Sequence, residues 1–402
     1  MRINYSLYGL PKDIKFCKFC SISNQRPRSV VEFKNSDNQK KGIKFDKNGI
    51  CEACNYSKIK DSIDWSKRES MLLKLLEKYR GKNNSGYDCI VPGSGGKDSA
   101  FASHLLKYKY GMNPLTVTWA PHVYTGIGWE NFSNWMHIGG LDNVLFTPNG
   151  ILHRKLTKLA FENLLHPFQP FIVGQKLIGP SMALKFNIPL IFYGENQAEY
   201  GNELKENENP IMHSNFYSNE KVKEIILSGL PIKKIINKYK FRLTDFVPYI
   251  PPQKKKLMKL NIKQRFLGYY IKWDPQECYY YASKNTGFKP NTERTEGSYS
   301  KYSSIDDKID PFHYYCTFIK FGIGRATYDS SQEIRNNKIS RDEAVTLIKK
   351  YDSEFPKKYF KDFLNYIELD EKKFWQIIDQ FRSPHLWKKN KKQKWELKKT
   401  IY

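Results

Sequence analysis

The chain has no apolar run approaching the roughly 18 residues needed to cross a bilayer, and its opening, MRINYSLYGLPKDIKFCKFC, lacks the basic-then-apolar order of a signal peptide. No membrane partner is therefore expected, and the expected location is cytoplasmic. Arginine is scarce beside lysine, no cysteine stands between Cys89 and Cys278, and the phosphate-loop pattern GxxxxGK[ST] does not occur. The first lack matters because arginine is the better reader of phosphate forks and stacked bases. The second leaves a long span without a nucleophilic thiol. Internal repeats and long low-complexity linkers are also missing.

What is present suits a globular chain of two or three domains: 402 residues, 40% apolar, 27% charged and 15% aromatic. The balance of 67 basic to 41 acidic residues gives +26, which at face value suggests a polyanion partner. Most of the excess is lysine, in a sequence also rich in asparagine, isoleucine and tyrosine. That joint bias reads as an AT-rich coding sequence, and lysine runs such as 254–256 and 388–399 read as solvated faces or frayed ends. Nucleic acid is not the expected partner.

Four of the seven cysteines form two CxxC pairs, Cys17/Cys20 and Cys51/Cys54. Each pair closes a tight turn that aims two sulfurs at one ion, so together they read as a four-thiolate site. Zinc is the expected occupant; an iron–sulfur cluster takes the same ligands, and unligated thiols are the remaining alternative. Four protein ligands leave no open position, so the site is expected to be structural. Cys89, Cys278 and Cys316 stand alone in apolar or aromatic contexts that read as core.

Helical periodicity covers residues 68–79, and from residue 87 strand and helix signals alternate. Strands are expected at 87–91, 115–119, 143–147 and 188–193, with helices at 98–110, 152–165 and 175–186. This alternation predicts a parallel sheet covered on both faces. Residues 125–128 read as a Gly-rich loop that, with His122 and Glu130, borders a nucleotide pocket. Lysine-rich helical segments and an aromatic stretch at 266–281 follow. The last hundred residues read as helical, with Ser340 and Glu343 forming a capping box. The expected division is 1–66, a cysteine head; 67–205, the sheet domain; 206–300, a helical and aromatic substrate region; and 301–402, a helical region completing the site.

The sharpest motif is Pro92-Gly93-Ser94-Gly95-Gly96-Lys97-Asp98-Ser99, where a strand ends and a helix begins. Glycine-permitted turns and a helix N-terminus there point amides outward as an anion cradle. SGGKDS resembles the SGGxDS signature of the PP-loop ATP pyrophosphatases. The resemblance implies a HUP-like, adenine nucleotide alpha hydrolase-like α/β fold and assigns ATP and pyrophosphate binding to Ser94, Gly95, Gly96, Lys97, Asp98 and Ser99, with Lys97 at the variable position. The acidic stretch Gly194-Glu195 to Glu199-Tyr200-Gly201 is similar to the one after the corresponding strand in asparagine-synthetase-type domains. It makes Glu195 and Glu199 candidates for Mg²⁺ or adenylate positioning. Lys320 and Arg325, in Lys320-Phe321-Gly322-Ile323-Gly324-Arg325-Ala326-Thr327, are candidates to join Asp98 as catalytic residues by stabilising a departing pyrophosphate.

The order of parts is closer to one family. The CxxC…CxxC head, Asp64-Trp65, Tyr87-Asp88-Cys89 before the loop, His166-Pro167-Phe168-Gln169-Pro170-Phe171, Phe192-Tyr193-Gly194-Glu195-Asn196 and the Lys320 segment resemble the N-acetyl sugar amidotransferases of pseudaminic-acid and lipopolysaccharide O-antigen type. That resemblance implies an N-terminal zinc-ribbon-like head and a helical C-terminal region. It also implies conversion of a sugar acetamido group to an acetamidino group with ATP, Mg²⁺ and ammonia, the ammonia supplied by a glutaminase-type subunit with a cyclase-like subunit. His166, Gln169 and Trp273 are the candidate sugar contacts. The alternative is a PP-loop tRNA thiolase, which shares the loop and cysteine knuckles. By the common route it needs a reactive thiol or a cluster near the adenylate, and the N-terminal cysteines are the ones that could carry such a cluster.

Overall fold

The computed structural model describes residues 6–28, 32–35, 40, 42–201, 209–212 and 225–401. The cysteine head ends in α1 (Glu52–Asp61), which carries Cys54, and α2 (Trp65–Leu76) follows. Asp64 caps α2 by accepting from the Lys67 amide at 3.0 Å. The α/β region then runs β1 (Cys89–Pro92), α3 (Lys97–Tyr108), β2 (Pro114–Trp119), α4 (Gly126–His137), β3 (Asp142–Phe146), α5 (Gly150–Leu164), α6 (Gln169–Phe186) and β4 (Leu190–Tyr193). Next come a two-residue hairpin, β5 (Ile226–Leu227) and β6 (Leu230–Pro231), and then α7 (Ile232–Tyr239), α8 (Lys254–Lys259), β7 (Lys263–Phe266) and α9 (Pro275–Asn285). The C-terminal helices are α10 (Asp310–Phe321), α11 (Arg325–Arg335), α12 (Arg341–Tyr351), α13 (Phe360–Ile367) and α14 (Glu371–Gln380), closed by the antiparallel pair β8 (Trp387–Lys389) and β9 (Trp395–Leu397).

Five strands form one sheet in the order β3-β2-β1-β4-β7, all parallel. This is the expected α/β class with a cysteine head and a helical C-terminal region. β1 lies between β2 and β4, so strand order reverses direction there, and ligands of open parallel sheets bind at the carboxyl ends beside such a switch. Every residue of β2 is buried, as a central strand covered on both faces requires. On one face α6 packs over β1 and β2, with Leu177, Ile178, Ile90 and Val117 in a common core; Val91, Leu105, Leu106 and Phe192 belong to the core that α3 covers.

Three elements depart from the expected pattern. β7 supplies the sheet's outer strand from beyond residue 205, pairing Lys263 to Phe266 with Leu190 to Tyr193. Its short polar sequence, Lys-Gln-Arg-Phe, carries no apolar alternation strong enough to announce a strand. Residues 126–128, expected as loop, open α4, with the Thr125 hydroxyl accepting from the Gly128 amide at 2.9 Å. The lysine-rich tail is a hairpin rather than a frayed end, held where Trp387 donates to the Ile319 carbonyl at 2.7 Å. The Ser340–Glu343 capping box is present.

Candidate active site

The loop between β1 and α3 is shaped by two close approaches. Gly95 has φ +83°, and a Cβ there would stand 2.8 Å from the Phe132 Cα; one at Gly93 would stand 2.2 Å from the Ser99 Cβ. Only glycine fits either position. Gly96 caps α3 with no side-chain bond, and the first main-chain bond of the helix runs from the Ala100 amide to the Gly96 carbonyl at 3.0 Å. The amides of Lys97, Asp98 and Ser99 thus precede the helical ladder, which is the arrangement that receives an anion.

Asp98 accepts from Lys97 Nζ at 2.6 Å through Oδ2, while its buried Oδ1 has no partner. Burial works against the Lys97 charge, but Asp98, with Glu195 behind it, outweighs burial and holds the ammonium protonated. The Ser94 hydroxyl bonds Asp306, whose carboxyl is pushed up by burial and by Asp307. A cavity of about 140 Å³ lies against the loop, walled by residues 94–98 on one side and by Asn131, Tyr302, Asp306 and Arg325 on the other. It shares Lys97, Asp98, Tyr302, Ser303 and Arg325 with a larger cavity of about 870 Å³, within the roughly 300–1,000 Å³ usual for small-molecule sites.

The two candidate glutamates diverge. Glu195, at the carboxyl end of β4, lies on the larger cavity's wall and takes a hydrogen bond from the Tyr200 hydroxyl. Burial, then repulsion from Asp98, pushes its carboxyl up to about 8. Glu199 turns away: it is 4% exposed and pairs with Lys60 of α1 at 2.7 Å. Arg325, the first residue of α11, faces both cavities, pairs with Asp329 at 2.9 Å and lies 4.4 Å from the Tyr314 ring centroid.

Lys320 stands on the larger cavity's wall but not on that of the smaller cavity against the loop. Its ammonium is 1% exposed and donates to Glu32 at 2.9 Å, Asn35 Oδ1 at 2.8 Å and the Leu164 carbonyl at 2.8 Å, which uses all three of its donors. Trp273 is not a stacking platform either: it is fully buried, edge-on to Phe101 at 5.3 Å and packed over Gly194. Gln169 is buried, with Oε1 accepting from the Ser228 amide at 3.0 Å, and lies outside both cavity walls. His166 does stand on the larger cavity's wall, stacked on His313 at 4.8 Å, and burial lowers it to about 3. His122 is buried against Asp307 at 2.7 Å and Glu130 pairs with Lys289 at 2.6 Å, and neither stands on the wall of these two cavities.

Sequence reasoning missed Tyr302, Asp306, Asp329 and His313. The one available signal was the acidic run Asp306-Asp307-Lys308-Ile309-Asp310-Pro311, which leads into a helix with proline in its first turn.

The four head cysteines are fully buried, and their sulfurs all lie within 4.8 Å of one another. Separations are 3.4 Å for Cys51–Cys54, 3.7 Å for Cys20–Cys51 and 3.9 Å for Cys17–Cys54. Zinc–sulfur bonds of about 2.3 Å in a tetrahedron place sulfurs about 3.8 Å apart, so the cluster could hold such an ion. The amides of Phe19 and Cys51 donate to Cys17 Sγ at 3.4 and 3.3 Å. Cys89, Cys278 and Cys316 are buried thiols pushed up by that burial.

Residues 296–402 match the family described as LPS biosynthesis protein WbpG-like, C-terminal domain. No curated protein matches the chain. Similar solved structures include the NH3-dependent NAD synthetase of Campylobacter jejuni subsp. jejuni (17% identity, 32% of this chain and 56% of that one, TM-score 0.26). The chain therefore spans 56% of that synthetase's length. The NMN synthetase of Francisella tularensis is similar at 11% identity over 77% of this chain and 98% of that one, TM-score 0.30. A predicted subunit of tRNA methyltransferase from Methanocaldococcus jannaschii is similar at 13% identity, 57% of this chain and 85% of that one, TM-score 0.25. The chain thus carries a glycine-rich loop on a parallel sheet and, beyond it, a WbpG-like C-terminal segment. Among the described residues no helix is long and apolar enough to cross a membrane.

Proposed function

We propose that the protein adenylates the acetamido oxygen of an N-acetylated sugar, nonulosonic or diacetamido, and lets ammonia displace AMP to leave an acetamidino group, as a cytoplasmic step of surface-glycan synthesis. The observation that carries this reading is Asp98 Oδ1, a buried carboxylate oxygen without a partner, set beside amides that precede the α3 ladder on a cavity that the WbpG-like segment closes.

The amide oxygen attacks the α-phosphorus as the bond to pyrophosphate breaks. The departing charge meets the amides of the loop, with Lys97 and Arg325 at the wall. Asp98 and Glu195 are the residues that would hold Mg²⁺, which when bound neutralises phosphate charge. The nitrogen lone pair of ammonia then forms a C–N bond to the imidate carbon, and the C–O bond to AMP breaks. No enzyme nucleophile is required. The head would hold structural zinc, and a glutaminase-type subunit with a cyclase-like subunit would supply the ammonia. A tRNA thiolase would need a reactive thiol or a cluster near the adenylate. Cys278 lies within electrostatic reach of Asp98, yet it is buried and its thiol is pushed well up.

The test is incubation with ATP, Mg²⁺, ammonium and a diacetamido or nonulosonic sugar, free or nucleotide-linked. AMP, pyrophosphate and a product lighter by the difference between an oxygen and an NH group are expected. Release of ADP would overturn the reading.

A further inference from the structure

Helix α11 ends at two different places. Its first residue, Arg325, faces the loop cavities; its last, Arg335, lies within electrostatic reach of Cys20, Cys54 and Cys51. At 1.5 Å per residue these ends stand about 15 Å apart on one rod.

The cysteine head grips that rod along its length. Ser21, the neighbour of Cys20, bonds Ser331 Oγ at 2.7 Å and Ser330 Oγ at 3.3 Å, all three side chains being buried. Ser57 of α1 donates to the Arg335 carbonyl at 2.9 Å. The Arg26 guanidinium lies 5.4 Å from the Tyr328 ring centroid. Ile22, Ile43 and Ala53 share one apolar cluster with the four cysteines, Ile323 just before α11, Ile334 of α11 and Ala344 of α12. At the other end the Asp352 carboxylate accepts from the amides of Gly324 at 3.0 Å and Thr327 at 2.8 Å.

An apolar contact alone would secure the head without fixing how α11 lies along its own axis. Buried hydroxyls that bond one another do fix it, because a slip would leave them unpaired. A slip of one turn would carry Arg325 about 5.4 Å from the loop. We propose that the four-cysteine head is a positioning element for Arg325: the knuckle at Cys20 and Ser21 sets the axial register of α11 through Ser330 and Ser331, and thereby where the Arg325 guanidinium meets the loop. Ser21 is then a positioning residue that touches no ligand. The inference rests on the reading of the loop as a pyrophosphate cradle.

The experiment is calorimetric titration of the full-length, zinc-loaded protein with inorganic pyrophosphate and Mg²⁺, which needs no sugar. Arg325→Gln is expected to weaken binding about 10- to 100-fold, the scale of one charge-assisted bond, and Ser21→Ala about 5-fold. The double variant should bind no more weakly than Arg325→Gln alone. Ser21→Ala keeps all four thiolates, so its zinc content should equal the parent's, and Ser331→Ala should repeat its loss. Chelating the metal should weaken binding in the parent but not in Arg325→Gln. Additive losses in the double variant, or unchanged binding in both Ser21→Ala and Ser331→Ala, would overturn the coupling while leaving the cradle in place. A parent that binds no pyrophosphate would overturn both.

Discussion

One side of the smaller cavity is a single stretch, residues 94–98, whereas the side facing it is gathered from Asn131 on α4, Phe288, residues 302–306 and Arg325 on α11. The first side is made by local rules: a strand end, glycines at a left-handed turn and at a close approach, and a helix start. The second exists only after α4, α9 and the C-terminal helices have packed. The difference teaches that an anion cradle is a property of a segment, while the charge that completes it is a property of the tertiary fold.

The strongest challenge to that contrast is Asp98→Asn, which keeps the cradle's shape and removes the carboxylate charge whose Oδ1 has no partner. ATP consumption should fall on the order of 10²- to 10³-fold, the scale seen when one group that stabilises developing charge is removed, with melting temperature nearly unchanged. Steady-state AMP release and a thermal melt check it; a small loss would mean the assembled wall dominates. Next comes Trp273→Ala. Because Trp273 is core rather than platform, stability should drop about 3–5 kcal/mol in denaturant titration, while the KM for sugar in the folded fraction stays near the parent's. A selective rise in KM would restore the aromatic stretch as a sugar contact. The smallest expected effect is on pH dependence. His166 is lowered to about 3, first by burial and then by Lys320 and Lys40. Between its ordinary value of about 6.5 and 3, the unfolded chain binds a proton that the folded one does not, so stability falls as pH falls through that window. His166→Gln should flatten this acid limb in melts between pH 7 and pH 4, and an unchanged slope would place the titration elsewhere.

The loop, the alternation of strands and helices, and the pairing of the cysteine knuckles were legible because each depends on near neighbours. Glu195 and Glu199 show where legibility stops. Both follow β4 in one acidic stretch, yet Lys60 from the head draws Glu199 away and leaves Glu195 by the loop. Nothing within the stretch separates them. Lys320 and Arg325 part in the same way: five residues apart, they occupy the end of α10 and the start of α11, and the carboxylate that claims Lys320 comes from Glu32. Trp273 read as a platform because aromatic stretches serve surfaces and cores alike, and only packing against Phe101 and Gly194 decides between them.

The place of β7 in the sheet bears on how the chain is made. Until residues 263–266 leave the ribosome, the outer edge of β4 has no strand to pair with. At about 5–20 residues per second, that edge stays open for several seconds of synthesis. An unpaired parallel edge is a template for another nascent chain, so a fragment ending after β4 should aggregate where a fragment extended through β7 does not, and the yield of soluble protein depends on how fast translation crosses this interval.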